Sequence, residues 1–120
     1  MRVSIIITTY NRPDALKLVL QSITSQSVPP NEIIIADDGS EKSTKKCIDE
    51  FKKKSSIPLV HSWQEDKGFR VAKSRNKAIA KSKFDYIILI DGDVVLHDKF
   101  IEDHLKHAEM GFLFRAQESY

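Results

Sequence analysis

The sequence has one cysteine, no long apolar run and almost no net charge. The single Cys47 excludes an internal disulfide framework and a multi-cysteine metal site, which favours a reducing compartment. No apolar run reaches the ~18–20 residues of a membrane span, and the N-terminus lacks the pattern of a signal peptide. The 19 basic and 17 acidic residues leave a net charge of +2, too small to indicate nucleic acid. We therefore expect a cytoplasmic protein with no transmembrane segment and no nucleic-acid partner.

The 120 residues suffice for one domain, and apolar runs alternate regularly with amphipathic segments along them. Short β-branched runs are typical of buried strands, and apolar residues three and four apart are typical of helices. This order predicts a single α/β domain over 1–120, with a mainly parallel sheet and helices on both faces. Asn11 is expected to cap the first helix, with Pro13 in its first turn. The predicted strands are Val3–Thr8, Glu32–Asp37, Leu59–Trp63, Tyr86–Ile90 and a fifth at Gly111–Phe114.

Polar residues follow three of these strands at the point where each strand ends. Thr8 ends the first strand, Asp37 and Asp38 end the second, and Asp91 and Asp93 follow the fourth. The carboxyl ends of parallel strands share one edge, where open α/β sheets bind ligands. Four carboxylates there would repel one another, and a hard cation such as Mg²⁺ or Mn²⁺ would relieve the repulsion. Aspartate beside glycine is also common in turns, so Asp37 is equally compatible with a structural role in a turn and with a role in ligand binding. The Asp91–Asp93 pair favours a role in ligand binding.

A basic stretch from Lys67 to Phe84 carries seven Lys and Arg residues and no acidic residue. Lys77, Lys81 and Lys83 are expected on a solvated helix face. Arg70 stands beside the Gly68 loop, where a planar guanidinium suits a phosphate group. Structural roles are expected for His61 and Cys47, and Trp63 is expected to pack, with contact to a ligand as the alternative. His97, His104 and His107 lack the spacing of a zinc site.

Two common nucleotide-binding motifs are absent. A dinucleotide-binding domain needs G-x-G-x-x-G after its first strand, but the first glycine of this chain is Gly39. The phosphate loop G-x-x-x-x-G-K-[ST] is missing as well. Both of these nucleotide-binding classes are therefore excluded.

Four segments together resemble the inverting family 2 glycosyltransferases of the GT-A fold. Each segment alone is moderately specific, but their order and spacing are characteristic. The similarity runs from Val3 to about Met110, and the region from Gly68 to Asn76 is especially similar to chondroitin-synthase-like and galactosyltransferase-like members. The segments are Ser4–Pro13, Ile35–Ser40, Arg70–Ile79 and Ile90–Asp93.

The resemblance implies roles for particular residues. Tyr10 would lie beside the base, Asp38 would accept a hydrogen bond from uracil, and Arg70 would face the base or the diphosphate. Asp91-Gly92-Asp93 matches the DxD motif, with Asp91 near the ribose or sugar and Asp93 on Mn²⁺ or Mg²⁺. The implied nucleotide-sugar-binding residues are Thr8, Tyr10, Arg12, Asp38, Arg70, Asp91 and Gly92, and the implied metal ligands are Asp93 and Asp91.

The implied reaction is the metal-assisted, inverting transfer of a hexosyl or N-acetylhexosaminyl group from a UDP-sugar donor to a saccharide acceptor, as in polysaccharide biosynthesis. The cation would stabilise the charge that develops on the leaving nucleoside diphosphate. A very apolar fourth strand near an open sheet edge favours a homo-oligomer. Peripheral membrane association stays open.

Catalytic domains of this family are longer than the present chain. Only 27 residues follow Asp93, and Glu102 and Asp103 come too early to match the family's general base, so that base is expected beyond residue 120. The chain alone is then expected to be inactive. Two alternatives remain: a non-catalytic nucleotide-sugar-binding module or inactive fragment, and a haloacid-dehalogenase-like phosphatase with Asp91 as nucleophile. The phosphatase motif normally follows a first strand, whereas this one follows the fourth.

Overall fold

The computed structural model describes residues 2–68, 70–84 and 86–109, in which four strands and four helices alternate. This order confirms the predicted α/β class, with bounds that differ by about one residue at the strand ends. None of the helices in this part of the chain is long and apolar enough to cross a membrane. The strand expected at Gly111–Phe114 lies outside the described residues. The elements are β1 (Val3–Thr9), α1 (Pro13–Thr24), β2 (Glu32–Asp37), α2 (Lys42–Lys54), β3 (Leu59–Trp63), α3 (Val71–Lys81), β4 (Tyr86–Asp91) and α4 (Phe100–Glu109).

The four strands form one sheet in the order β3-β2-β1-β4, and all of its pairings are parallel, which agrees with the predicted mainly parallel sheet. The central strand β1 pairs with β2 on one side and β4 on the other. In this register Thr8 stands beside both Ala36 and Asp91. Since all four strands run in the same direction, their carboxyl ends meet at one edge of the sheet.

Isoleucine-rich strands bury side chains on both faces of the sheet. Along β1, Ile5 and Ile7 lie on one face and Ile6 lies on the other, which follows from the two-residue period of a strand. The first face packs against α1, α2 and α4, and the second packs against α3 through Ala78. Helices therefore cover both faces. The apolar stripe of α1 is buried, and it consists of Leu16, Val19, Leu20 and Ile23.

Helix α1 begins differently from the sequence prediction. Arg12 occupies the N-cap position, and no side chain caps the helix there. Asn11 instead has a left-handed backbone with a φ of 50°. Its backbone N–H donates to Ser40 Oγ at 2.8 Å, and its Oδ1 accepts a hydrogen bond from the Glu41 N–H at 2.7 Å. The predicted cap was wrong because the Asn11 side chain joins the β1–α1 loop to the β2–α2 turn.

The β2–α2 turn lies close against the loop that follows β3. Gly39 has a φ of +92°, and a Cβ atom at this position would lie 2.5 Å from the backbone of Asp66. Gly68, in the same loop as Asp66, has a similar φ of +89° but nothing within 4 Å of such an atom. The loop therefore packs on the turn at Gly39. At Gly68 the glycine is needed only for its positive φ and not for a close contact.

Alanine should destabilise the protein much more at Gly39 than at Gly68. Both variants carry the cost of a left-handed non-glycine residue, roughly 1–2 kcal/mol. Only Gly39→Ala adds a collision with the main chain of Asp66, which should raise the cost by at least about 1 kcal/mol. Urea unfolding of both variants measures the difference. Equal losses of unfolding free energy would contradict the packing of the loop on the turn.

Helix α4 is attached to β4 through a buried histidine. His104 is 7% exposed, its Nδ1 lies 3.0 Å from the Tyr86 hydroxyl, and its ring centroid is 4.7 Å from that of Phe100. Burial lowers the pKa of His104, the charge of His107 lowers it further, and Asp103 opposes the shift. The folded protein therefore favours the neutral imidazole.

Stability should fall as the pH is lowered from about 7.5 to about 5.5. The pKa of His104 in the folded state is below the ordinary value of 6.5, so the unfolded chain binds this proton more readily. The contribution of neutral His104 to the unfolding free energy is complete above the pKa of the unfolded state. It is lost as the pH falls towards the pKa of the folded state. Thermal unfolding of His104→Gln should show a weaker pH dependence, whereas His107→Gln, on the exposed side of α4, should keep most of it, because burial is the larger cause of the pKa shift. The same pH dependence in His104→Gln as in the wild type would show that another group is responsible.

Candidate functional site

A cavity of about 540 Å³ opens at the carboxyl edge of the sheet. The ends of β1, β2 and β4 form one wall, and the first turns of α3 form the other. Its volume falls in the range of ~300–1,000 Å³ that is typical of small-molecule sites. The residues that line it are Thr8, Thr9, Tyr10, Ala36, Asp38, Val71, Ala72, Ser74, Arg75, Asp91 and Asp93.

The structure brings most of the predicted site residues to this cavity. Arg12 and Gly92 line a smaller cavity of about 130 Å³ beside it, and the two cavities share Thr8, Thr9, Tyr10 and Asp93. The Arg12 side chain is 62% exposed and pairs with Asp14 at 3.5 Å. Arg70 belongs to the wall of neither cavity. The predicted residues in the larger cavity are Thr8, Tyr10, Asp38, Asp91 and Asp93.

The two carboxylates of the DxD motif stand at the end of β4. Asp91 Oδ1 accepts a hydrogen bond from Thr8 Oγ1 at 3.2 Å, and the Asp91 carbonyl accepts one from the Val94 N–H at 3.1 Å. A Cβ atom on Gly92 would collide with the carbonyl oxygen of Thr8. The close approach of β1 therefore requires the glycine between the carboxylates, and both carboxylates line the cavity.

The side chains in this part of the wall suit a divalent cation whose coordination shell is completed by a bound ligand. Among residues 2–68, 70–84 and 86–109, no group of three or more His, Cys, Asp or Glu side chains could hold a metal. The described residues therefore do not form a self-sufficient metal cage. Mg²⁺ is usually held by one or two carboxylates together with substrate phosphates, which is what Asp91 and Asp93 can provide.

The two neighbouring aspartates at the end of β2 have different surroundings. Asp37 is fully buried, its Oδ1 accepts from the Ser40 N–H at 2.9 Å, and its Oδ2 lies 2.7 Å from His61 Nε2. Asp38 is 3% exposed and lines the cavity. Asp37 thus holds the β2–α2 turn and His61, while Asp38 faces the site.

The Asp38 carboxylate also holds the loop that connects β3 to α3. Its Oδ1 accepts a hydrogen bond from Gln64 Nε2 at 2.6 Å, and its Oδ2 accepts one from the Arg70 N–H at 2.7 Å. Gln64 Nε2 also reaches the Arg70 carbonyl at 3.2 Å. Arg70 therefore contacts the site through its main chain. Each carboxylate oxygen of Asp38 keeps acceptor capacity for a ligand.

Sequence reasoning missed three polar groups in the wall. Thr9 Oγ1, Ser74 Oγ and Arg75 Nε are buried and have no hydrogen-bond partner in the part of the chain that the structure describes. Buried polar groups without partners are uncommon, so three of them around one cavity favour a polar ligand. A signal was present in the sequence, because Ser74 lies one turn before Ala78 on the buried face of α3.

Tyr10 forms the outer rim of the cavity. Its side chain is 46% exposed, and its hydroxyl donates to Asp66 Oδ2 at 2.7 Å. This hydrogen bond and the negative charge of Asp66 raise the pKa of Tyr10, so the phenol stays neutral and remains a donor. The contact holds the ring at the rim, where it can stack on a planar ligand.

Two kinds of comparison relate this chain to known sequences. Residues 4–112 match the family model described as Glycosyl transferase family 2. The hyaluronan synthase of Pasteurella multocida is 33% identical over 103 residues, which cover 85% of this chain and 10% of that protein. The chondroitin synthase of Escherichia coli is 29% identical over 104 residues, which cover 86% of this chain and 15% of that protein. The chain thus spans a small part of the length of these relatives.

Solved structures show the same fold. TarS 1–349 of S. aureus superposes with a TM-score of 0.80 at 23% identity, over 92% of this chain and 33% of that one. The mannosyltransferase PcManGT from Pyrobaculum calidifontis, in complex with GDP-Man and Mn²⁺, gives 0.70 at 22% identity, over 78% of this chain and 28% of that one. These likenesses confirm the GT-A type of fold, and the family match favours a glycosyltransferase over a phosphatase. The fold, the position of the DxD motif and the family model agree that the chain belongs to glycosyl transferase family 2.

Proposed function

We propose that this chain binds a UDP-sugar together with Mn²⁺ or Mg²⁺ and thereby serves glycosyl transfer to a saccharide acceptor. The supporting observation is that one cavity joins the DxD carboxylates to Asp38, Tyr10 and Arg75, whose Nε has no hydrogen-bond partner among the described residues. These groups offer separate contacts for the base, the phosphates and the cation. The transferred group is a hexosyl or N-acetylhexosaminyl residue.

Tyr10 and Asp38 are the proposed partners of the base. The exposed ring of Tyr10 offers a stacking surface, and the Asp38 carboxylate offers a hydrogen-bond acceptor. Uracil carries a proton on N3, whereas the N3 of cytosine is itself an acceptor, so Asp38 would prefer uridine to cytidine. The choice of uridine is further supported by TarS, a protein of the same fold that has been crystallised with UDP and with UDP-GlcNAc.

Arg75 and the DxD carboxylates are the proposed partners of the diphosphate and its cation. A guanidinium group can donate two parallel hydrogen bonds to a phosphate, and the Nε of Arg75 lacks a partner among the described residues. Arg75 thus joins Arg70 as a candidate for this role. A divalent cation held by Asp91 and Asp93 would stabilise the charge on the leaving nucleoside diphosphate. Thr8 keeps Asp91 oriented towards the site through its hydrogen bond.

The acceptor side of the reaction stays a prediction. Glu102 and Asp103 lie on α4 and do not belong to the cavity wall, so neither is placed to activate an acceptor there. A general base beyond residue 120 stays an expectation from the family resemblance. Association of two copies through β4, an outer strand of the described sheet, and peripheral attachment to a membrane also stay predictions.

Calorimetry with UDP should separate the roles of Asp93 and Asp38. Mn²⁺ should strengthen UDP binding to the wild-type chain. Asp93→Asn should lose at least about tenfold in affinity with Mn²⁺ present and little in EDTA, since it removes one ligand charge from the metal position. Asp38→Asn should narrow the preference for UDP over CDP, because an amide both donates and accepts. Asp38→Asn should also lower the unfolding free energy, because the N–H groups of the new amide would face the N–H donors of Gln64 or Arg70.

Asp98→Asn is the matched control for these titrations. Asp98 is exposed and lies outside the cavity wall, so its replacement should leave UDP binding unchanged with and without Mn²⁺. A folded wild-type chain that binds UDP under neither condition would contradict the proposal. Equal losses of UDP and CDP binding in both site variants would contradict the separate roles of the two carboxylates.

A further inference from the structure

A second cavity of about 510 Å³ lies on the other side of the β2–α2 turn. The end of β3 and the first turns of α2 form its walls. No residue lines both this cavity and the nucleotide cavity, although Asp38 faces one and Ser40, two residues later, faces the other. The two cavities are therefore separate neighbours that share a turn.

Trp63 forms an aromatic platform in this second cavity. Its side chain is 51% exposed, and its Nε1–H donates to the Ser40 carbonyl at 3.1 Å. Because the hydrogen bond joins the indole to the turn, the ring is held in place while much of its surface faces the cavity. The core does not include this side chain, and neither does the wall of the nucleotide cavity.

Polar groups surround the platform. His61 is oriented by its 2.7 Å contact with buried Asp37, and Asp49 is paired with Lys45 at 2.7 Å. Glu41 and Lys42 complete the wall. Donors and acceptors thus stand beside an apolar face. The positive charges of Lys42 and Lys45 balance the negative charges of Glu41 and Asp49, so the cavity has no net charge that would attract a polyanion.

This combination matches the shape and polarity of a sugar ring. A hexose has an apolar face of C–H groups, which packs on an aromatic ring, and an equator of hydroxyl groups, which bond to polar side chains. We infer that the Trp63 cavity binds a neutral hexose or N-acetylhexosamine oligosaccharide, at a site separate from the nucleotide site. The choice of a saccharide rests on the proposed glycosyl transfer. Such a site would retain a saccharide chain beside the donor and raise its local concentration.

The fluorescence of Trp63 provides a direct test, because it is the only tryptophan in the chain. The 120-residue protein is titrated with cellotetraose and with tetra-N-acetylchitotetraose while tryptophan emission is recorded, and calorimetry gives the affinities. We expect a saturable change of emission. Trp63→Ala should weaken binding by about tenfold or more, and Trp63→Phe should retain part of it, because a flat ring remains. Leu18→Ala, which truncates another exposed apolar side chain outside the cavity, should bind like the wild type.

The same samples are titrated with UDP and Mn²⁺, so that the two sites are judged independently. Saccharide binding that UDP does not displace supports the inference. This holds even if UDP does not bind, a result that would contradict the proposed function. UDP binding without saccharide binding overturns the inference alone. Saccharide binding that is unchanged in Trp63→Ala, displacement by UDP, or a preference for glucuronate-containing oligosaccharides also overturns it.

Discussion

The register between β1 and its two neighbours determines where each polar group of the site lies. Isoleucines fill both faces of β1, so the apolar pattern alone would tolerate a shift of one residue. Polar pairs at the two ends of the sheet remove this freedom. At the amino end, buried Glu32 accepts hydrogen bonds from Ser4 Oγ and from the Lys83 N–H, and at the carboxyl end Thr8 bonds to Asp91. Slipping β1 would break the Ser4–Glu32 and Thr8–Asp91 contacts and would leave the buried Glu32 carboxylate with one donor fewer.

Contacts between loops position the rest of the site beyond the carboxyl edge of the sheet. Asp37 fixes the β2–α2 turn, and Asp38 fixes the loop that leads to α3. Gly39 allows this loop to approach the turn, where Asp66 reaches Tyr10 at the rim of the nucleotide cavity. Side chains of one short turn therefore support two cavities, one on each side.

Much of this arrangement could be predicted from the sequence. The β-branched runs gave the strands, and parallel topology gathered the carboxylates after β2 and β4 at one edge. The role of Asn11 could not be predicted, because its side chain bonds to Glu41, which is distant in the sequence. The orientation of α3 depends on how Asp38 holds the preceding loop, so periodicity alone did not show that Ser74 and Arg75 face the cavity.

The central claim is that the carboxyl edge of the sheet binds a nucleoside diphosphate together with a divalent cation. Paramagnetic broadening of backbone amide NMR signals by substoichiometric Mn²⁺, recorded with and without UDP, tests it most directly. We predict that UDP will focus the broadening on Thr8, Tyr10 and Asp93, while Lys83, at the opposite end of the sheet, stays sharp. The account would be contradicted if the broadening were the same with and without UDP, or if it were strongest at the acidic residues of α4.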